Sequence, residues 1–379
     1  MRVSQLVVTK GVPEVTDFST LSALEPQLVL VFGSVSALQS SVKSLRQAFQ
    51  GAHIAGCSTA GEISGKGVTD TSLVVTAINF QKCEVSQVST ELKSMDDSHA
   101  AGSRLAQGFR QEGLRALLIF GQGVQINGSA LLAGMSEVVG SDVPITGGLA
   151  GDGGGFAQTW VLDDQGLSSS RLVCVGLYGP ALRFSHGSFG GWSPFGPARK
   201  VTRCESNVLY ELDGESALAV YKRYLGEHAK NLPASGLLFP FSMLGQDQNE
   251  LGLIRTILGV NEADGSLTLA GEIDQEGYLR LMHASTDALV DGAATAAHSA
   301  WDPQAGVSEV LALLVSCVGR KLVMGGRVDE EVEAVADVFG QSATLAGFYS
   351  YGEIGPFGNM AECKLHNQTM TITCLSESV

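Results

Sequence analysis

Positive charge is what this chain has least of. Lys and Arg number 24 against 39 Asp and Glu, which leaves a net charge of -15 at neutral pH. That balance opposes docking on phosphate backbones or anionic lipid surfaces, so nucleic acid is not an expected partner. Charged residues make up only 17% of the 379 positions and hydrophobic ones 44%. This excludes a disordered or fibrous chain and leaves ample apolar surface for two cores. Long apolar runs are missing as well. The strongest, residues 310–318, falls well short of the ~20 needed for a spanning helix, so no membrane insertion is expected. Residues 1–10 lack the apolar core and cleavage site of a secretory leader, and the expected location is cytoplasmic. The 7 cysteines are odd in number and form no Cys-x-x-Cys pair. That suits reduced, buried thiols better than disulfides or a zinc site.

Motifs that carry chemistry are also few. Lys66 follows Gly65, but neither the spacing nor the hydroxyl residue of a phosphate-binding P-loop is present. Gly121-Gln122-Gly123 follows an apolar run and opens toward a helical pattern, yet the third glycine of a dinucleotide fingerprint is misplaced, at Gly128. That stretch is expected to form a helix-initiating loop that can offer amides to an anion. Cys57-Ser58 and Asp152 have the elements of a nucleophile and an orienting acid without a Gly-x-Ser-x-Gly elbow. With so little support even for Cys57 or Cys317 as a nucleophile, no enzyme is expected. No Cys-x-x-Cys-His signature occurs, so any haem would be held non-covalently.

What the chain does have is one pattern written twice. Ala55-Gly56 and Ala346-Gly347 are each followed, after the same four residues, by Gly-Glu-Ile, at Gly61-Glu62-Ile63 and Gly352-Glu353-Ile354. Each copy places one acid at a glycine-lined bend, where the backbone can take positive φ or let another group approach closely. Glu62 and Glu353 can meet ligand amines, or accept local hydrogen bonds and close the bend.

Apolar periodicity gives an α/β reading, with α+β character in the C-terminal half: two domains of mixed, largely antiparallel sheets covered by helices. Residues 28–33 read as a buried strand, with Ser34 capping a helix to about residue 49. Residues 53–57 form the next strand. Segments 72–80 and 83–92 look like a hairpin, 96–111 a helix, 116–120 a strand and 127–139 a helix. Residues 143–155 are too glycine-rich for an element interior and read as a loop. A second glycine-dense stretch, 187–196, marks the junction between domains 1–200 and 201–379. Beyond it, 207–212 is a strand and 216–225 a helix, and four further strands between 236 and 283 suggest an antiparallel meander. Helices over 288–300 and 329–339 and strands over 309–318, 346–354 and 368–375 complete the chain.

Candidate ligand contacts follow from residue type. Tyr349 and Tyr351 share a face of a regular strand and can line one pocket or pack on a core. Arg183, Arg199, Arg255 and Arg320 are the candidates to meet a carboxylate through two parallel hydrogen bonds. In a metabolite-binding reading, Arg320 takes a ligand carboxylate and Glu353 its ammonium. Among the histidines, His186 lies in an aromatic and glycine-rich stretch, His366 begins the last strand segment, and His283 ends an earlier strand. Each is a metal candidate or a satisfied structural residue.

At this point the chain resembles the FIST proteins, named for F-box and intracellular signal transduction. The resemblance rests on residues 56–63, on Gly191-Trp192-Ser193-Pro194-Phe195-Gly196-Pro197 with the tract that follows to Tyr221, and on residues 316–320, 347–354 and 366–370. It covers nearly the whole chain and implies an N-like and a C-like domain, a sensory role and small ligands. Tracts at 225–240, 255–258 and 291–293 look like the nitric-oxide-sensing NosP subgroup. That resemblance implies haem b, His366 or His186 as the one iron ligand, and nitric oxide as the signal. It also implies output to a separate histidine kinase or cyclic-di-GMP enzyme. The ligand is expected near Tyr351, Glu353, His366 and Asn367, with Arg320 and Glu62 as further contacts; the alternative is a small polar metabolite without haem.

Overall fold

In the computed structural model, residues 1–9, 16–302, 309–357 and 362–378 are described. The chain runs three times through one supersecondary unit. The first comprises β1 (Arg2–Val8), the short α1 (Ser19–Ser22), β2 (Leu28–Gly33), α2 (Val35–Ala48), β3 (His53–Ser58), a hairpin of β4 (Glu62–Ser64) and β5 (Gly67–Thr69), and β6 (Leu73–Asn79). The second comprises β7 (Glu84–Glu91), α3 (Ser98–Gln107), β8 (Leu114–Gly121), α4 (Gly128–Val139), β9 (Ile145–Leu149), a hairpin of β10 (Val161–Asp163) and β11 (Gly166–Ser168), and β12 (Arg171–Tyr178). The third opens with β13 (Leu182–Phe189) and is then interrupted by an insertion.

The insertion holds β14 (Ser193–Pro194), β15 (Arg199–Glu205), β16 (Val208–Leu212), β17 (Glu215–Ser216), α5 (Ala217–Leu225), β18 (Phe241–Leu244), β19 (Glu250–Arg255), β20 (Ile257–Asn261), β21 (Ser266–Leu269) and β22 (Tyr278–His283). The third unit resumes with α6 (Thr286–Ala300), β23 (Val310–Cys317), α7 (Val318–Met324), α8 (Asp329–Phe339) and β24 (Ala343–Ser350). It closes with a hairpin of β25 (Gly352–Phe357) and β26 (Glu362–His366), then β27 (Met370–Glu377).

Each unit builds one six-stranded sheet, but its hairpin leaves for a neighbour's. The orders are β1-β6-β2-β3-β10-β11, β26-β25-β9-β8-β12-β7 and β13-β27-β23-β24-β4-β5. The β4–β5 hairpin therefore extends the third sheet, β10–β11 the first and β25–β26 the second. In each sheet one pair is parallel (β2–β3, β8–β9, β23–β24) and the others are antiparallel. The class is thus α/β with mixed, mostly antiparallel sheets. The insertion begins near residue 200, and residues 310–377 return to pair with strands of the first half.

Central strands buried on both faces explain why their sequences are continuous apolar runs. One face of each meets the common core: Leu28, Leu30 and Phe32, then Ala116, Leu118 and Phe120, then Leu311, Leu313 and Val315. Phe32 stacks on Phe348 at 4.7 Å and meets Phe120 edge-on at 5.5 Å. The opposite faces lie under the helices, with Val29 and Val31 packed with α2, Leu117 and Ile119 with α3 and α4, and Ala312 and Leu314 with α6 and α8. Ser34, Asn127, Ser216 and Ser285 accept hydrogen bonds from first-turn amides and fix where α2, α4, α5 and α6 begin.

Three sequence expectations are corrected by this topology. Segments 73–79 and 84–91 are adjacent in the chain but not paired; β6 lies between β1 and β2, and β7 edges the second sheet against β12. Residues 145–149 form a fully buried strand, not a loop. Its glycines have a packing reason. Gly147 faces Ile119 across the parallel pair, where a Cβ would lie 2.0 Å from the Ile119 carbonyl oxygen. Gly56 and Gly347 hold the same place in the other two units, each with a Cβ position 1.8 Å from the oxygen of Val31 or Leu314. The insertion, finally, is no meander: its order is β19-β18-β22-β15-β16-β21-β20, and α5 packs on its own apolar core.

Candidate functional site

The insertion meets the body along a narrow seam. Gly191, at φ 77°, lets the chain leave β13 against α6, where a Cβ would lie 2.1 Å from the Ala288 carbonyl oxygen. Trp192 Nε1 donates to the Gln368 carbonyl at 2.7 Å, and Gln368 Nε2 donates to Leu237 O at 2.9 Å and Thr256 Oγ1 at 3.1 Å. Beside this seam lies a cavity of about 560 Å³, walled by α4, the β26 edge and the insertion. Leu132, Val143 and Leu365 of the body face Met243, Leu253 and Ile273 of the insertion across it. Its size and apolar walls suit a small ligand.

Arg255 lines this cavity and is only 5% exposed. It anchors through neutral carbonyls: Nε donates to Glu272 O at 3.0 Å, and Nη1 to Ile254 O at 3.1 Å and Leu365 O at 3.3 Å. Burial pushes its guanidinium down to about 10, still protonated at neutral pH. Of the four arginines the sequence offered, it is the buried one that forms no ion pair among the described residues, the Glu272 carboxylate acting on it only from farther away. Arg183 is exposed, and Arg199 pairs with Asp213 at 3.0 Å and donates to Tyr224 at 2.7 Å.

Arg320, expected to take a ligand carboxylate, already holds one of the chain's own. Its Nε and Nη2 reach Glu331 Oε2 at 3.1 and 2.7 Å, and it also donates to the carbonyls of Gly190 and Leu289. Glu331 Oε1 accepts from Ser316 Oγ at 2.9 Å and from the Tyr349 hydroxyl. Arg320 and Glu331 are completely buried, so this is a closed structural network. Burial, reinforced by the Glu331 carboxylate, pushes the Tyr349 phenol well above its ordinary range.

Tyr349 and Tyr351 pack in one core cluster, although the strand breaks between β24 and β25 at Tyr351. The Tyr351 hydroxyl accepts from the amides of Asp152, Gly154 and Phe156 at 3.2, 3.0 and 3.3 Å, donates to the Asp152 carboxylate, and its ring stacks on Phe156 at 4.1 Å. The anion loop expected at residues 121–123 is likewise occupied: the Gly123 amide donates to Thr159 Oγ1 at 2.8 Å.

Glu62 and Glu353 are matched bend-closers. Thr59 Oγ1 donates to Glu62 Oε1 at 2.5 Å, and the Ser72 amide and hydroxyl to Oε2 at 2.9 and 2.7 Å. Ser350 Oγ donates to Glu353 Oε1 at 2.6 Å, and the Thr369 amide and hydroxyl to Oε2 at 3.2 and 3.1 Å. Each carboxylate thus ties its hairpin to the residue that opens the returning strand, β6 or β27. In the second unit an Asp163–Arg171 ion pair at 3.1 Å makes the corresponding link.

Burial pushes Glu353 up to about 8, against the lowering effect of its three donors. An acid whose folded pKa lies above its unfolded value near 4.5 contributes stability that is fully present below 4.5 and lost as pH rises through 8. Glu353→Gln keeps an acceptor for the Thr369 amide without a titrating proton. Its melting temperature is expected to fall less than that of the unaltered chain between pH 5 and pH 9, the range in which this group loses its proton. Identical pH profiles in thermal unfolding would show that Glu353 does not titrate in this range.

The two histidines do come together, on either side of Gly355. His366, buried, shares a hydrogen bond between Nε2 and Gly355 O at 3.2 Å. His186 Nδ1 bonds Thr373 Oγ1 at 3.0 Å, and its buried Nε2 faces Gly355, where a Cβ would lie 2.6 Å away. Burial pushes both imidazoles down, His186 to about 3 and His366 to about 4. His366 Nε2 is engaged by the Gly355 carbonyl, His186 Nε2 has no hydrogen-bond partner among the described residues but is closed in by the Gly355 backbone, and neither ring lines the 560 Å³ cavity. These residues do not fit haem b. Asn367 is buried at the β26–β27 turn with Oδ1 unpartnered among the described residues. Of the residues nominated from the sequence, Arg255 lines the cavity, whereas Tyr351, Glu353, His366, His186, Asn367, Arg320 and Glu62 do not. Arg255 was only one of four arginines in sequence, distinguished by being a cation inside an apolar strand pattern.

Among the described residues, no helix is long and apolar enough to cross a membrane, and no cluster of three or more His, Cys, Asp or Glu can hold a metal ion. A search of solved structures finds cyanuric acid hydrolases. The one from A. caulinodans is 9% identical with a TM-score of 0.39, covering 100% of this chain and 99% of that one. A likeness at that level carries no argument about chemistry. Among curated proteins, the chain is 26% identical to an uncharacterized protein of Methanocaldococcus jannaschii over 208 residues, 49% of this chain and 39% of that protein. It is also 26% identical to one of Mycobacterium tuberculosis strain H37Rv over 230 residues, 58% of this chain and 59% of that protein. The chain thus spans less than two thirds of the length of these relatives. Family models describe nearly all of it: the FIST N domain matches residues 27–215 and the FIST C domain residues 217–356. The chain belongs to the FIST family, whose domains are small-ligand sensors of signal transduction.

Proposed function

We propose that this protein is a cytoplasmic, non-enzymatic sensor of a small polar ligand, and that the ligand occupies the cavity between the insertion and the three-unit body. The observation that carries this reading is the cavity's position, with walls from two separately cored parts joined by a narrow seam. A ligand that touches both walls favours one relative setting of the two parts, and a population shift of that kind is what a sensor transmits. Output passes to a separate signalling protein, such as a histidine kinase. Seven unpaired thiols fit a reducing compartment. Burial raises Cys57 and Cys317 well above the ordinary thiol range, which removes the thiolate a nucleophile needs. The packing around Gly355 favours a metabolite over haem and nitric oxide.

Thermal unfolding across a panel of small polar metabolites tests the reading. A ligand at a hundred-fold excess over its Kd is expected to add about 2.7 kcal/mol to stability. Ala133→Trp, at an exposed α4 position lining the cavity, should abolish that gain. Stabilisation that survives Ala133→Trp places the ligand elsewhere and sinks the proposal.

A further inference from the structure

We propose that the Arg255 end of the cavity binds the carboxylate of a small monoanionic acid with a short apolar body. This rests on the cavity being the sensory site and names what it accepts. Four features of the molecule converge on it. A buried guanidinium normally has an anion, as Arg320 has Glu331. Arg255 is buried as well, at the edge of the cavity, yet it forms no ion pair among the described residues, and its three hydrogen bonds to carbonyls use only Nε and Nη1. Nη2 has no acceptor among them. The Glu272 carboxylate compensates this buried charge only from beyond ion-pair distance, and a ligand carboxylate at Nη2 supplies the direct contact that is missing.

The guanidinium is also seated. Gly271, at φ 122°, lies flat against it, and a Cβ there would come within 2.9 Å of Nε and 3.1 Å of Cζ. Only glycine lets backbone approach the cation so closely without a side chain displacing it. Apolar walls from α4 and the insertion favour a hydrocarbon body. The remaining polar lining is largely acidic. Glu272 acts on Arg255 itself through space without forming an ion pair, Asp274 carries no cationic partner among the described residues, and Glu362 is matched by Lys364 at 2.8 Å. Those carboxylates repel a second negative charge, so a monoanion is preferred over a dicarboxylate or a phosphate.

Calorimetry and thermal unfolding of the full chain with hexanoate, hexanamide, succinate and inorganic phosphate test the assignment. Hexanoate is expected to bind saturably and hexanamide not at all, with succinate and phosphate weaker than hexanoate. Arg255→Lys keeps the charge without the planar fork and should weaken hexanoate about ten-fold or more. Asp274→Asn, at the cavity mouth, should tighten succinate more than hexanoate. That variant and the acid–amide contrast on the unaltered chain decide the matter even if Arg255 variants fold poorly. Hexanamide binding as well as hexanoate overturns the proposal, as does phosphate outcompeting hexanoate, or no anion binding up to about 10 mM. A neutral metabolite blocked by Ala133→Trp would then leave the cavity as the sensory site, so the two failures are distinguishable.

Discussion

Replacing Glu331 with alanine is expected to cost about 3–5 kcal/mol, because it leaves the fully buried Arg320 guanidinium without its counter-charge. The same change strips Ser316 and Tyr349 of the acceptor they share. Against a total stability of about 5–15 kcal/mol, such a loss brings the chain close to unfolding. Glu331→Gln should cost less: its carbonyl can still accept from Ser316 and Tyr349, while the ion pair is gone. Denaturant unfolding at unchanged m-value measures both. A loss below about 1 kcal/mol for the alanine variant would mean that this network does not hold β23, β24 and α8 together.

A larger effect is expected at the three equivalent glycines. In Gly347→Ala the new methyl would lie 1.8 Å from the Leu314 carbonyl oxygen and 2.7 Å from its carbon. Both are backbone atoms of the paired strand, so no rotamer change relieves the overlap and the parallel pair has to open. The cost should exceed about 4 kcal/mol, the range reserved for disrupted cores. Gly56→Ala should behave alike, since its Cβ would meet Val31 O at 1.8 Å. Gly65→Ala, with nothing within 4 Å, serves as the control and should shift stability by no more than about 0.5 kcal/mol. If Gly347→Ala unfolds with the same midpoint as the control, the close approach of β23 and β24 is not required.

These glycines also show how far the sequence could be read. Two of the three were visible as the repeated Ala-Gly-x4-Gly-Glu-Ile pattern, because Glu62 and Glu353 close equivalent bends with the same pair of hydroxyl donors. The middle unit was hidden because it solves the bend differently, with Asp163 and Arg171, and its glycine-rich strand reads locally as a loop. Strand propensity at residues 145–149 is overridden by the neighbouring β8 backbone, which admits only glycine at the point of contact.

By itself the sequence determined what depends on neighbours along the chain. Continuous aliphatic runs made buried strands, apolar periodicity made helices, and Ser34, Asn127 and Ser216 fixed helix starts through bonds to amides within the next turn. Its motifs also marked the family. Tertiary structure alone decided which strand pairs with which, since each hairpin crosses to another unit's sheet and nothing local encodes that exchange. It also decided the fate of the charges. Arg320 and Arg255 look alike in sequence, but α8 brings Glu331 into an ion pair with the first, while carbonyls and an open cavity contact the second and Glu272 stays beyond ion-pair distance. A cation's role is set by what the fold places opposite it, because Coulomb energy depends on separation in space and on burial, not on distance along the chain.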